Sequence, residues 1–185
     1  MSLGPTRLDY TTMPGMLPPV TLILGGARSG KSRFAEQLLD RVPRNRAYLA
    51  TSEIFDDEMA ERVRLHRAQR GENWRTVEEP LAMAETLVKE TDRGDAVLVD
   101  CLTLWLSNLI GANRDIAAET AQLVACLPQL GGPVVFVSNE VGLGIVPDNA
   151  LARQFRDHAG RLNQTIAAAA DQVFFIAAGL PLRLK

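Results

Sequence analysis

An α/β domain with a mostly parallel sheet and helices on both faces is the fold class this sequence predicts, on three observations. Short β-branched runs, "VTLIL", "AYLAT", "AVLVD", "PVVFVS" and "QVFFIA", are apolar at consecutive positions, as strands buried on both faces must be. Amphipathic stretches separate them, the alternation that βα units produce. A glycine-rich turn follows the first run and opens the first helix. With 185 residues, 46% of them hydrophobic, the chain can fill the core of one domain.

Residues 1–19 hold four of the ten prolines and lack the apolar centre of a signal peptide, so they are expected to be a poorly ordered extension. A single domain is expected over 20–185. "VTLIL" is its first strand. "KSRFAEQLLDRV" follows as a helix with Phe34, Ala35, Leu38, Leu39 and Val42 on one stripe. After "AYLAT", the charged stretch "DDEMAERVRLHRAQR" (residues 56–70) predicts a helix capped by Asp56 or Asp57 and supported by the Glu58–Arg62 pair. "WRTVEE" adds a short strand, and "AVLVD" and "PVVFVS" are central ones. "ALARQFRDHAGRLNQ" is a long amphipathic helix that carries His158. "QVFFIA" returns to the sheet, and "LRLK" suits an edge strand.

Composition excludes several classes. A net charge of -2 gives no basic footprint for nucleic acid or a membrane surface. Cys101 and Cys126 are too few for a disulfide framework and show no metal-ligand spacing, which suits a reducing cytoplasm. The most apolar region, "AVLVDCLTLWLSNLIGA", is interrupted by Asp100 and Asn108, so no membrane span is expected.

"GGARSGKS" carries the chemistry. Gly25, Gly30, Lys31 and Ser32 satisfy G-x-x-x-x-G-K-[ST] between a strand and a helix. Glycines let the backbone turn its N–H groups inward around phosphate oxygens, and the helix adds the positive end of its dipole. Lys31 can reach β and γ phosphates, and the Ser32 hydroxyl can ligate Mg²⁺. Asp100 ends the "AVLVD" strand, the usual place for a second Mg²⁺-linked acid, although an acid there can also simply cap a turn.

His66 raises a different question. Arg62, His66 and Arg70 are spaced i, i+4, i+8, so the imidazole sits in a cationic stripe. Cationic neighbours disfavour the imidazolium and bias His66 toward its neutral, nucleophilic form. The same arginines suit a polyphosphate, and a neutral imidazole beside one can attack phosphorus. His158 has no such surroundings.

Taken together, "GGARSGKSRFAE", "YLATSEIFDDEMAERVRLHRAQR", "WRTVEEP" and "SNEVGLGIVPDNALARQFRDHAGRLNQTIAAAADQVFFIAAG" resemble the bifunctional adenosylcobinamide kinase / adenosylcobinamide-phosphate guanylyltransferase family of cobalamin biosynthesis. The resemblance spans nearly everything from Leu22 to Gly179. It implies a RecA-like P-loop sheet, a homotrimer, and ATP or GTP used with Mg²⁺. It implies two reactions: phosphorylation of adenosylcobinamide, then transfer of GMP from GTP onto adenosylcobinamide phosphate. The family's GMP-carrying histidine corresponds to His66. Its nucleotide contacts correspond to Gly25, Gly26, Ala27, Arg28, Ser29, Gly30, Lys31 and Ser32, to Ala50, Thr51 and Ser52, to Arg67, Ala68, Gln69 and Arg70, and to Glu78 and Asp100. Leu65 departs from relatives that carry a second histidine there, which leaves His66 as the one candidate. "NEVGLGIVPDN" is the expected loop for the acceptor, or else a structural loop capped by Asp148 or Asn149. The rival readings are a small-molecule kinase without guanylyl transfer and a RecA-like ATPase module.

Overall fold

The computed structural model describes residues 17–52 and 74–185. Among them, seven strands form one sheet in the order β3-β2-β4-β5-β1-β6-β7. The strands are β1 (Val20–Gly25), β2 (Arg46–Ala50), β3 (Trp74–Glu78), β4 (Ala96–Asp100), β5 (Val134–Asn139), β6 (Gln172–Ala177) and β7 (Leu180–Arg183). All neighbours are parallel except β6 and β7. Each expected strand is present, and the C-terminal edge strand begins at Leu180, ahead of the "LRLK" stretch.

Period-2 alternation sends successive side chains to opposite layers. Leu22, Leu49, Val97, Val99, Val134 and Phe136 face one core, shared with α2 (Met83–Asp92), α3 (Leu102–Gly111), α4 (Ile116–Cys126) and α5 (Ala150–Ala169). Ile23, Leu98, Val135, Val137 and Phe174 face the other, where α1 (Lys31–Leu39) packs through Ala35, Leu38 and Leu39. Helices therefore cover both faces. Removing a buried side chain such as Leu39 would cost about 2–5 kcal/mol, because it is fully enclosed.

The expected stripe is correct in membership but not in length. α1 stops at Leu39, and Val42 reaches the core from the turn beyond it. Pro43 disfavours helix in the residue before it. Arg46 then satisfies the freed carbonyls, donating Nε to Leu39 at 2.8 Å and Nη2 to Asp40 at 2.9 Å. At the edge, β3 is held by Arg75, whose guanidinium bonds the buried carboxylates of Glu90 and Asp95. Leu17, three residues before β1, packs against the α1-side core.

Strand order positions the site. β5 lies between β1 and β4, with Gly25 opposite Asn139 in register; Ala50 is opposite both Asp100 and Glu78. Six parallel strands thus end along one edge, where open α/β sheets bind ligands.

Candidate active site

The phosphate loop leaves β1 at Gly25 and enters α1 at Lys31. A side chain at Gly25 would place its Cβ 2.5 Å from the Ile176 carbonyl oxygen, closer than any packing tolerates. Gly30 caps α1 with φ +98°, in the left-handed region, and its missing Cβ would lie 3.3 Å from the Gly179 Cα. The first approach is to strand β6 itself, and the second exists because the β6–β7 turn buttresses the loop. Ala178 and Gly179 both take positive φ (50° and 77°), a two-residue hairpin turn, and the Gly179 N–H donates to the Ser29 carbonyl at 2.8 Å. The sequence reading missed this support. Its signal was the "AAGL" step between two strands.

Lys31 is buried, and its ammonium donates to the Gly26 carbonyl at 2.7 Å. Burial pushes its pKa below the ordinary lysine value, while Asp100 and Cys101 pull it back up. Lys31 and Asp100 are thus close enough to interact across the edge of the sheet. A phosphate in the loop would act with Asp100 to hold the ammonium charged. Within the loop, the Ser29 hydroxyl is buried without a protein hydrogen-bond partner, and Arg28 is exposed at φ 55°.

The neighbouring strand ends are tied into one polar belt. Tyr48 donates its hydroxyl to the Asp100 carboxylate at 3.1 Å. The fully buried Thr51 hydroxyl clamps Cys101 twice, donating to its carbonyl at 2.8 Å and accepting from its N–H at 2.9 Å. Asn108 ties β2 to the end of β3, donating to the carbonyls of Thr51 (2.6 Å) and Pro80 (3.1 Å). Asn139 donates to the Thr103 hydroxyl at 2.6 Å, and Asn163 bonds the Ser138 hydroxyl at 2.6 Å and the Asn139 carbonyl at 3.3 Å. Tyr48, Thr103 and Asn108 had no expected part in the site, and Asn139 entered only as the first residue of "NEVGLGIVPDN". Only Asn139, the polar end of an apolar strand registered with the phosphate loop, carried a usable signal.

A prediction follows for Thr51. Thr51→Val keeps the shape but strands the buried Cys101 N–H, at a cost of about 1–3 kcal/mol. At roughly 2–4 °C per kcal/mol for a domain of this size, a thermal melt should fall by several degrees and Thr51→Ser should restore it. An unchanged melt for Thr51→Val would mean that the clamp contributes nothing.

Of the expected site residues, Gly25 to Ser32, Ala50, Thr51, Ser52, Glu78 and Asp100 are gathered at this one edge. Glu78 is exposed, whereas its neighbour Glu79 fixes the turn into α2 by accepting the N–H groups of Leu81 (2.9 Å) and Ala82 (2.8 Å). His66, Arg67, Ala68, Gln69 and Arg70, with the helix expected around them, lie outside the described residues. Among the described residues no cluster of three or more His, Cys, Asp or Glu side chains could hold a metal by itself. Ser32 and Asp100 do offer a hydroxyl and a carboxylate, the sparse hard-oxygen set that Mg²⁺ accepts when phosphates and water complete its shell.

Comparison with known proteins agrees with this architecture. The family model described as cobinamide kinase / cobinamide phosphate guanyltransferase matches residues 21–184. The bifunctional adenosylcobalamin biosynthesis protein CobP of Pseudomonas aeruginosa is 49% identical over 166 residues, covering 89% of this chain and 96% of its own length. The protein of the same description, CobU, of Escherichia coli is 42% identical over 179 residues, covering 89% of this chain and 98% of its own. Among solved structures, the flagellar accessory protein FlaH of Methanocaldococcus jannaschii superposes with a TM-score of 0.53 at 11% identity, over 92% of this chain and 80% of that one. The P4 protein of bacteriophage phi6, in complex with ADP, gives 0.50 at 17% identity, over 90% of this chain and 54% of that one. At such identities the structural likeness concerns the fold alone, that of RecA-like P-loop ATPases.

Proposed function

Because the chain belongs to the cobinamide kinase / cobinamide phosphate guanyltransferase family, we propose that one phosphate loop serves two successive reactions of adenosylcobalamin biosynthesis. The enzyme is a bifunctional adenosylcobinamide kinase and adenosylcobinamide-phosphate guanylyltransferase. The observation that carries the shared site is the convergence of the loop, buried Lys31 and Asp100 at one sheet edge.

In the kinase step the loop N–H groups and Lys31 hold the β and γ phosphates of ATP or GTP while the cobinamide hydroxyl attacks the γ-phosphorus. The bond from that phosphorus to the bridging oxygen breaks, and the nucleoside diphosphate leaves. Positioning and charge stabilisation carry this reaction. In the guanylyl step the His66 imidazole attacks the α-phosphorus of GTP, the α–β anhydride breaks, and pyrophosphate departs. An oxygen of adenosylcobinamide phosphate then attacks the phosphoramidate, freeing His66 and giving GDP-cobinamide. The support for His66 is its place between Arg62 and Arg70. Ser32 and Asp100 would hold Mg²⁺, which neutralises charge on the phosphate oxygens.

A homotrimer in the cytoplasm completes the reading. No helix among the described residues is long and apolar enough to cross a membrane. Pure protein given adenosylcobinamide and an NTP should yield the phosphate, and added GTP should then release pyrophosphate in proportion to that phosphate. Light scattering should give three times the chain mass. Turnover of cobinamide without pyrophosphate release would reduce the protein to a kinase. A stable monomer would remove the trimer.

A further inference from the structure

We propose that the segment from Glu140 to Leu151 is the platform on which the corrin macrocycle of the acceptor rests, an inference that builds on the kinase and guanylyltransferase reading. The segment starts at the phosphate site. Asn139 is in register with Gly25, and the Glu140 N–H donates to the Gly25 carbonyl at 3.0 Å. It is fixed at both ends. The Glu140 carboxylate accepts the Gly142 N–H at 2.6 Å, Arg153 donates to the carbonyls of Pro147 (2.9 Å) and Asp148 (2.8 Å), and Asn149 caps α5 through the Ala152 N–H (2.7 Å).

Between those anchors the chain turns its apolar side chains outward. Leu143 is 82% exposed, Ile145 97%, Val146 62% and Leu151 63%. Leu151 continues into a cavity of about 360 Å³ lined by Ile110, Ala152 and Phe155, between α3 and α5. Contiguous exposed apolar surface of this kind marks a place where something binds.

Charge and size select the occupant. The ionisable groups from Glu140 to Leu151 are Glu140 and Asp148, and even with the Arg153 guanidinium bonded to the Pro147 and Asp148 carbonyls the balance stays acidic, so the ridge disfavours a second nucleotide. Adenosylcobinamide, an alkylcobalt(III) corrinoid without its nucleotide loop, is a cation with broad methyl-bearing faces, and suits an apolar ridge between carboxylates. Its macrocycle is far larger than a phosphate, so it must lie outside the loop while its aminopropanol arm reaches the γ-phosphoryl group. A ridge rooted at Gly25 meets that requirement.

The test is the double variant Leu143→Ser/Ile145→Ser, whose exposed positions leave the core untouched. Equilibrium dialysis with adenosylcobinamide reads binding without turnover, and steady-state kinetics are measured for both substrates. Corrinoid affinity should weaken and its KM rise by roughly tenfold or more, with kcat, NTP affinity and oligomer mass unchanged, the signature of lost ground-state binding. Unaltered corrinoid binding overturns the platform. So does a fall in oligomer mass, which would make the ridge a contact between copies of the chain. Wild-type protein that binds the corrinoid through this ridge without phosphorylating it would support the platform and overturn the kinase reading instead.

Discussion

Lys31→Ala should abolish both activities and leave the protein folded. Among the described residues the side chain makes one hydrogen bond, to the Gly26 carbonyl, and burial already works against its charge. Truncating it removes an ionic group from a partly dehydrated place, so the fold loses little. The nucleotide loses much more. Arg28, the other cation of the loop, is exposed, which leaves Lys31 as the loop's buried positive charge. Loss of one preorganised donor typically costs about 10²–10³ in rate, and under the proposed function the same donor would serve the γ-phosphoryl group in one reaction and departing pyrophosphate in the other. Calorimetric titration with NTP, beside a circular dichroism melt, checks both halves. Wild-type affinity in a folded mutant would remove the loop from the mechanism.

His66→Ala should divide the two reactions. Incubated with Mg²⁺ and α-labelled GTP, the wild-type protein should keep labelled GMP after denaturation. The linkage should be labile in acid and comparatively stable in base, as a P–N bond is and an ester to serine or threonine is not. The mutant should lose the label and the transfer to cobinamide phosphate. Its kinase turnover should persist, because γ-phosphoryl transfer to a hydroxyl needs the cradle but no imidazole nucleophile. His158→Ala is the control: that side chain sits half-buried on α5 and should keep the label. Guanylylation of a protein lacking His66 would end the assignment. Loss of both reactions together would make His66 part of the shared nucleotide site.

What the sequence determined by itself was whatever depends on local pattern. Consecutive apolar residues in "AVLVD" and "PVVFVS" require strands covered on both faces, and "GGARSGKS" between a strand and a helix has few conformations other than a phosphate loop. Those signals lie within a few residues of one another, so a linear reading recovers them. Only the tertiary structure decided how the strands are ordered, and with that which residues meet. Placing β5 between β1 and β4 brings Asn139 opposite Gly25, and carries Glu140 to the root of the phosphate loop. Thr51 and Cys101 are 50 positions apart, yet they share two hydrogen bonds because β2 and β4 are neighbours. The β6–β7 turn lies about 150 residues from Ser29 in the chain, yet its Gly179 N–H bonds the Ser29 carbonyl and its Gly179 Cα would sit 3.3 Å from a Cβ at Gly30. Side chains such as Tyr48, Thr103 and Asn108 look ordinary in sequence. Their roles follow from partners that strand pairing supplies, and no periodicity encodes a partner on another strand.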